Sequence, residues 1–262
     1  MVTTTTQLSD FARVVGGDRV EVHDVIKANV DAHDYEPTPA DIEAVRGADL
    51  VLRNGAGLDD WLEPTLETAE AEAPVVDATE GIELRRGDPH VWFDVTRART
   101  MVANVSRALA RVNPENTSTY SANEAAYAAQ LEALDAEIRA AIGSLSNKKL
   151  VTNHDAFGYY VERYGLDFVG SVIPSFDSQA ELSSRDLSEL VDRVKAEGAR
   201  AVFSEASLPP KAAETIAREA GVKVVAGDDA LYGDSLGPAG SDGDSYLKMM
   251  RHNTRVIVEN LR

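Results

Sequence analysis

The chain has 262 residues, 44% hydrophobic and 27% charged, enough to bury a core as one large domain or two modest ones. Its formal net charge of -18 excludes the basic face that a nucleic-acid partner requires; it fits a self-repelling surface and also a field that draws in cations. Cysteine is absent, so disulfides and thiolate zinc sites are excluded, and no run approaches the roughly 18 apolar residues of a membrane span.

The pattern is strand, helix, strand, repeated. The β-branched run from Val2 to Thr6 predicts a first strand, and QLSDFARVVGG a helix stopped by Gly16 and Gly17. RVEVHDVI reads as extended. TPADIEAVRGA reads as a helix with Thr38 as N-cap and Pro39 at its first position. DLVLRNG is a buried strand, GLDDWLEPTLETAEA a helix interrupted at Pro64, and APVVDAT another strand. Helical spacing returns over 95–111. From Tyr120 the apolar positions Tyr127, Leu131, Leu134, Ile138, Ile142 and Leu145 follow at steps of 7, 4, 3, 4, 4 and 3, one face of a single helix over 117–145. The alternation then restarts: strand KKLVTN, a helix through AFGYYVERYG, strand DFVGSV, helix 184–198, strand RAVFSEA, helix 210–220, strand VKVVAG, an irregular loop 227–243 and a last helix. The expected class is α/β, with two α/β lobes of mostly parallel sheets, 1–113 and 148–262, bridged by a long helix within 114–147. Ligands of such sheets gather at the carboxyl ends of the strands.

Three of the five histidines fall where a strand runs out: His33, His90 and His154. His23, in a strand-like run, and His252, in the last helix, read as surface or packing residues. Imidazole is the common ligand of divalent transition metals, and a site wants three or four donors. With no thiol available, a carboxylate is the natural fourth. Asp234, Asp242 and Asp244 are candidates, and Asp234 is best placed because it follows a strand and its short extension. A lone loop histidine equally fits a hydrogen-bonded structural role, and the four positions, 57, 64 and 80 residues apart, form no local metal signature. Asp31, Asp34, Asp88 and Asp155 adjoin the histidines and can either accept a second ring N–H or cap turns. Glu205, at the end of RAVFSEA, is given a structural or outer-shell role. NGAG and VVGG lack the spacing of nucleotide loops, no Gly-x-Ser-x-Gly arrangement occurs, and the NTS triplet at 116–118 is common by chance.

The segments AHDYEPTPADI, DPHVWFDVTRA, NHDAFGYYVERYGL and LYGDSLG, with GDRVEV and ADLVLRNGAGLDDWL, resemble the landmarks of the zinc/manganese solute-binding proteins of ABC transporters, from about residue 2 to 262. The resemblance implies two lobes bridged by one long helix, the metal in the cleft between them, and His33, His90, His154 and Asp234 as ligands, two from each half. It departs from many zinc-specific members in that ATEGIELRRGDPH leaves no room for a histidine-rich loop, and Asp59 stands where the family often has glutamate. The opening MVTTTTQLSDF carries neither a basic n-region nor an apolar h-region, so the expectation is either a cytoplasmic protein or one whose export signal has been removed.

The expectation is a binding protein and not an enzyme. It captures Zn²⁺, with Mn²⁺ as the alternative, outside the cytoplasmic membrane (periplasmic or lipid-anchored), and delivers it as a monomer to a membrane ABC permease. Three imidazoles and one carboxylate suit tetrahedral zinc, and the affinity order favours zinc over manganese. A zinc-dependent hydrolase, with Glu36 or Glu205 as base, is the runner-up, and a surface adhesin of the same fold is a third reading.

Overall fold

The computed structural model describes residues 1–33, 35–180 and 183–262. The first half alternates β1 (Val2–Thr3), α1 (Thr6–Gly16), β2 (His23–Asp24), α2 (Pro39–Arg46), β3 (Val51–Arg53), α3 (Leu62–Ala69), β4 (Val75–Asp77) and α4 (Val95–Val112). Its strands form one parallel sheet in the order β2-β1-β3-β4. After α5 (Thr117–Gly143) come β5 (Lys149–His154), α6 (Gly158–Tyr164), β6 (Asp167–Ile173), α7 (Ser184–Glu197), β7 (Ala201–Phe203), α8 (Lys211–Ala220), β8 (Lys223–Val225) and α9 (Tyr246–Leu261). Here β5 pairs with β6 and β7 with β8, both parallel. The α/β class with parallel sheets is therefore as expected.

Local chemistry sets the boundaries. The first strand ends sooner than its β-branched run suggests, because the Thr5 side chain accepts the Leu8 N–H and caps α1, which makes Thr6 helical. Thr38 and Asp41 form a reciprocal capping box at α2, with Pro39 in its first turn. Pro64 does not interrupt a helix: α3 begins only at Leu62, so the proline lies in the first turn, where no N–H is needed. Of RVEVHDVI, expected to be extended, only His23 and Asp24 form a strand beside β1, and Arg19 closes a 3-10 turn.

The 27 residues of α5 extend about 40 Å at 1.5 Å per residue. Its predicted stripe is buried: Tyr120, Leu131, Leu134, Ile138 and Ile142 are 0% exposed, and burying such a side chain is worth about 1.5–3 kcal/mol. One core runs from Leu8 and Phe11 of α1 through Trp92, Met101 of α4 and this stripe to Phe157, Met249 and Leu261, so the two halves share it. Smaller clusters lie in each half: one around Val51 in the first, and one around Val202 that spans both sheets of the second.

Candidate metal centre

His33, His90, His154 and Asp234 meet at one point. The structure brings all four sequence-derived candidates together, each with a ligand atom within 4.8 Å of the others. Nε2 of His90 stands 3.2 Å from Nε2 of His33, 3.4 Å from Nε2 of His154 and 3.2 Å from Oδ1 of Asp234. The same Oδ1 is 3.5 Å from Nε2 of His154 and 3.9 Å from Nε2 of His33. His90, His154 and Asp234 are fully buried, and His33 lies at the edge. Among the described residues, neither carboxylate oxygen of Asp234 receives a hydrogen bond. A buried carboxylate without donors, facing three imidazole nitrogens, is an arrangement a cation completes.

Each histidine is aimed by its own segment. The His90 backbone N–H and ring Nδ1 both face Oδ1 of Asp88, at 3.0 and 2.7 Å. The His154 backbone N–H and ring Nδ1 face Oε1 of Glu205, at 3.0 and 2.9 Å. A carboxylate behind Nδ1 fixes the proton there and leaves the Nε2 lone pair pointing into the site. His33 is held through its backbone, whose N–H donates to Oδ1 of Asp31. Oδ2 of Asp31 reaches the opposite half, accepting from Ser178 Oγ at 2.5 Å and Gln179 Nε2 at 3.0 Å. Asp31, Asp88 and Glu205 thus support the site. The Asp155 carboxylate accepts no hydrogen bond from these histidines among the described residues, and Asp34 lies outside them.

Two ties were not visible in the sequence. Tyr159, on α6, clamps the loop before His90: its hydroxyl accepts from the Arg85 N–H and donates to the Asp88 carbonyl, both at 2.9 Å, while the Arg97 guanidinium lies over its ring. Phe157 stacks on Phe93 at 4.4 Å. The Asp234 loop is in turn stitched to the first half. Leu236 N–H donates to Thr6 Oγ1 at 2.7 Å, and Asn29 N–H donates to the Leu236 carbonyl at 3.2 Å. These partners lie far apart in the chain and carry no spacing signal. Trp92 is fully buried edge-on to the His90 ring. Asp59 accepts from Thr4 Oγ1 and from the Asn54 and Gly55 N–H groups; Asn54 then donates to the Pro89 carbonyl beside His90.

Electrostatics follow from this packing. Burial pushes the Asp234 pKa up, but His154 and His90 outweigh it and hold the carboxyl well below its usual range. Burial pushes His90 and His154 down, yet Asp234 and Asp88 raise the first, and Glu205 with Asp234 raises the second well above the ordinary imidazole value. For His33 burial prevails and lowers the pKa. His23 and His252 lie outside the cluster: half-buried His23 faces Asp41 through Nε2 at 3.0 Å, and buried His252 faces the Ala230 carbonyl through Nε2 at 2.9 Å.

Two α/β halves joined by one long helix, with a buried cluster of three imidazoles and a carboxylate where they meet, define a metal-binding solute-binding protein. The family described as zinc-uptake complex component A, periplasmic (ZnuA), matches residues 1–260, and the chain belongs to it. The chain is 31% identical to the manganese-binding lipoprotein MntA of Halalkalibacterium halodurans, covering 100% of this chain and 88% of that one. It is 29% identical, over the same shares, to the iron ABC transporter substrate-binding lipoprotein MtsA of Streptococcus pyogenes. The periplasmic zinc-binding protein TroA from Treponema pallidum superposes with a TM-score of 0.92 at 30% identity, covering 99% of this chain and 98% of that chain. The chain is thus an extracytoplasmic metal-binding component of an ABC uptake system. Among the described residues no helix is long and apolar enough to cross a membrane.

Proposed function

We propose that this protein captures a divalent transition cation between His33, His90, His154 and Asp234 and hands it, as a monomer, to the ABC permease of the same uptake system. Zinc is the first expected cargo and manganese the second. The observation that carries the reading is the convergence of three Nε2 atoms on the donor-less Asp234 carboxylate. An ion about 2.0–2.2 Å from each of four tetrahedral donors would set them about 3.3–3.6 Å apart, close to the 3.2–3.5 Å separations around His90 and His154. The 3.9 Å gap from His33 to Asp234 would tighten as the edge ligand moves in. Relatives named for zinc, manganese and iron leave the cargo to be decided by the donor set, and imidazole-rich sites favour zinc over manganese. The lobes proposed to close on the ion are 1–113 and 148–262, with 114–147 linking them.

A hydrolase reading lacks its base: Glu36 is exposed, and Glu205 is committed to His154. The test is to titrate metal-free protein with Zn²⁺ and Mn²⁺ while following the melting temperature. At a thousandfold excess over Kd, binding stabilises by about 4 kcal/mol, which raises Tm by roughly 8 °C for a chain of this size. The His90→Ala variant should lose most of the shift. No shift with either ion, or an equal shift in the variant, overturns the reading.

A further inference from the structure

His90 and His154 are backed alike, and in both cases a glycine from another segment leaves the space that the backing carboxylate fills. Asp88 accepts from His90 through Oδ1, while its Oδ2 has no hydrogen-bond partner among the described residues, lies 3.7 Å from the Arg85 guanidinium and faces Gly158 at the start of α6. A Cβ on Gly158 would come to 2.8 Å from that oxygen. Glu205 accepts from His154 through Oε1, while its Oε2, without a hydrogen-bond partner among the described residues, lies against Gly233, the residue before Asp234. A Cβ on Gly233 would overlap Oε2 and stand 3.1 Å from Cδ of Glu205.

Neither glycine has the positive φ that would itself call for glycine. The requirement is therefore one of space, not backbone conformation. The carboxylates cannot yield by swinging into solvent, because Asp88 is 0% and Glu205 1% exposed. Arg85, the other group near Gly158, is partly exposed and can shift; Asp88, held by two N–H groups of His90, cannot do so without releasing the ring.

We infer that Gly158 and Gly233 are positioning residues for metal capture: the space beside each lets Asp88 and Glu205 hold His90 and His154 with Nε2 turned to the ion. The inference rests on the four-ligand site proposed above. A ring that loses its Nδ1 acceptor is free to rotate or to place its proton on Nε2, and losing such a partner weakens metal affinity about 10–100-fold.

The experiment pairs zinc affinity, from competition with a fluorescent chelator, with ¹⁵N–¹H spectra of the histidine rings in zinc-loaded protein. Gly233→Ala is expected to weaken zinc about 10–100-fold and to remove the hydrogen-bonded Nδ1–H resonance of His154 while leaving that of His90. Gly158→Ala is expected to do the reverse. Because Gly233 acts through Glu205, the double variant Glu205→Ala/Gly233→Ala should bind zinc as Glu205→Ala alone does. Unchanged affinity, loss of affinity with both resonances intact, or independent effects in the double variant overturns the inference. If Gly233→Ala fails to fold, the double variant decides: folding when Glu205 is truncated supports the steric origin, and failure there overturns it. Native protein that binds neither zinc nor manganese would instead remove the four-ligand reading.

Discussion

An imidazole has two ring nitrogens, and which one meets an ion is settled by what stands behind the other. At His90 and His154 that is a buried carboxylate touching the histidine's own backbone N–H as well as its ring. The double contact fixes both the tautomer and the angle at which the side chain leaves the chain. Asp88→Ala should therefore lower zinc affinity about 10–100-fold although it removes no ligand. Chelator competition measures this, and an unchanged Kd would make Asp88 a turn residue only. The sequence already held Asp88 two positions before its histidine, so its role was within reach of local reading. Glu205 lies 51 residues beyond His154, and only the adjacency of the β5 and β7 ends joins them.

Elements whose signal is local and repeated are those legible in the chain. The stripe on α5 reads clearly because each position in it lies one or two turns from the next, so the helix is specified by its own residues. Leu134 is fully buried in the core that both halves share. Leu134→Ala should destabilise the protein by about 2–5 kcal/mol, seen as a lower urea midpoint with unchanged m-value. If the halves unfolded independently, the variant would instead show two transitions. Short elements read less well: β2 keeps two residues of a longer extended run because its ladder depends on where β1 stops, and β1 stops early because Thr5 caps α1. The four candidates were legible as residues beyond strand ends, where parallel α/β sheets gather ligands, although only His154 itself ends a strand and the other three lie in the loops that follow β2, β4 and β8. The Tyr159 clamp and the Asp31 contacts to Ser178 and Gln179 were not, because a tyrosine or serine in a loop has no pattern that names a distant partner.

At the scale of the whole molecule, the proposed site sets Asp234 against His90 and His154, whose pKa values their neighbouring carboxylates raise, so a cation bound there competes with protons on the imidazoles. His90 and His154 have pKa values raised by their carboxylates, so in the absence of metal their protonated forms contribute stability that is fully present below about 6.5, the unfolded imidazole value, and is lost as pH rises through the folded value. Asp234, held well below the usual carboxylate range, contributes stability present above about 3.9 and lost on further acidification. Metal needs the neutral imidazole, so each ion bound expels protons. Above the carboxylate range the histidine and metal effects have one sign: the metal-free protein is favoured at lower pH and the loaded protein at higher pH. The zinc-induced rise in Tm at fixed total zinc should therefore grow from pH 5.5 to pH 8, because protons leave the competition as the metal-free form loses its ion pairs. His33, whose burial already lowers its pKa, is neutral over most of this range and adds little to the slope. Scanning fluorimetry across these pH values, with and without zinc, measures the difference directly. A zinc-induced shift that stays constant from pH 5.5 to pH 8 would mean that the protons on His90 and His154 do not compete with the ion, and the ligand set would have to lie elsewhere.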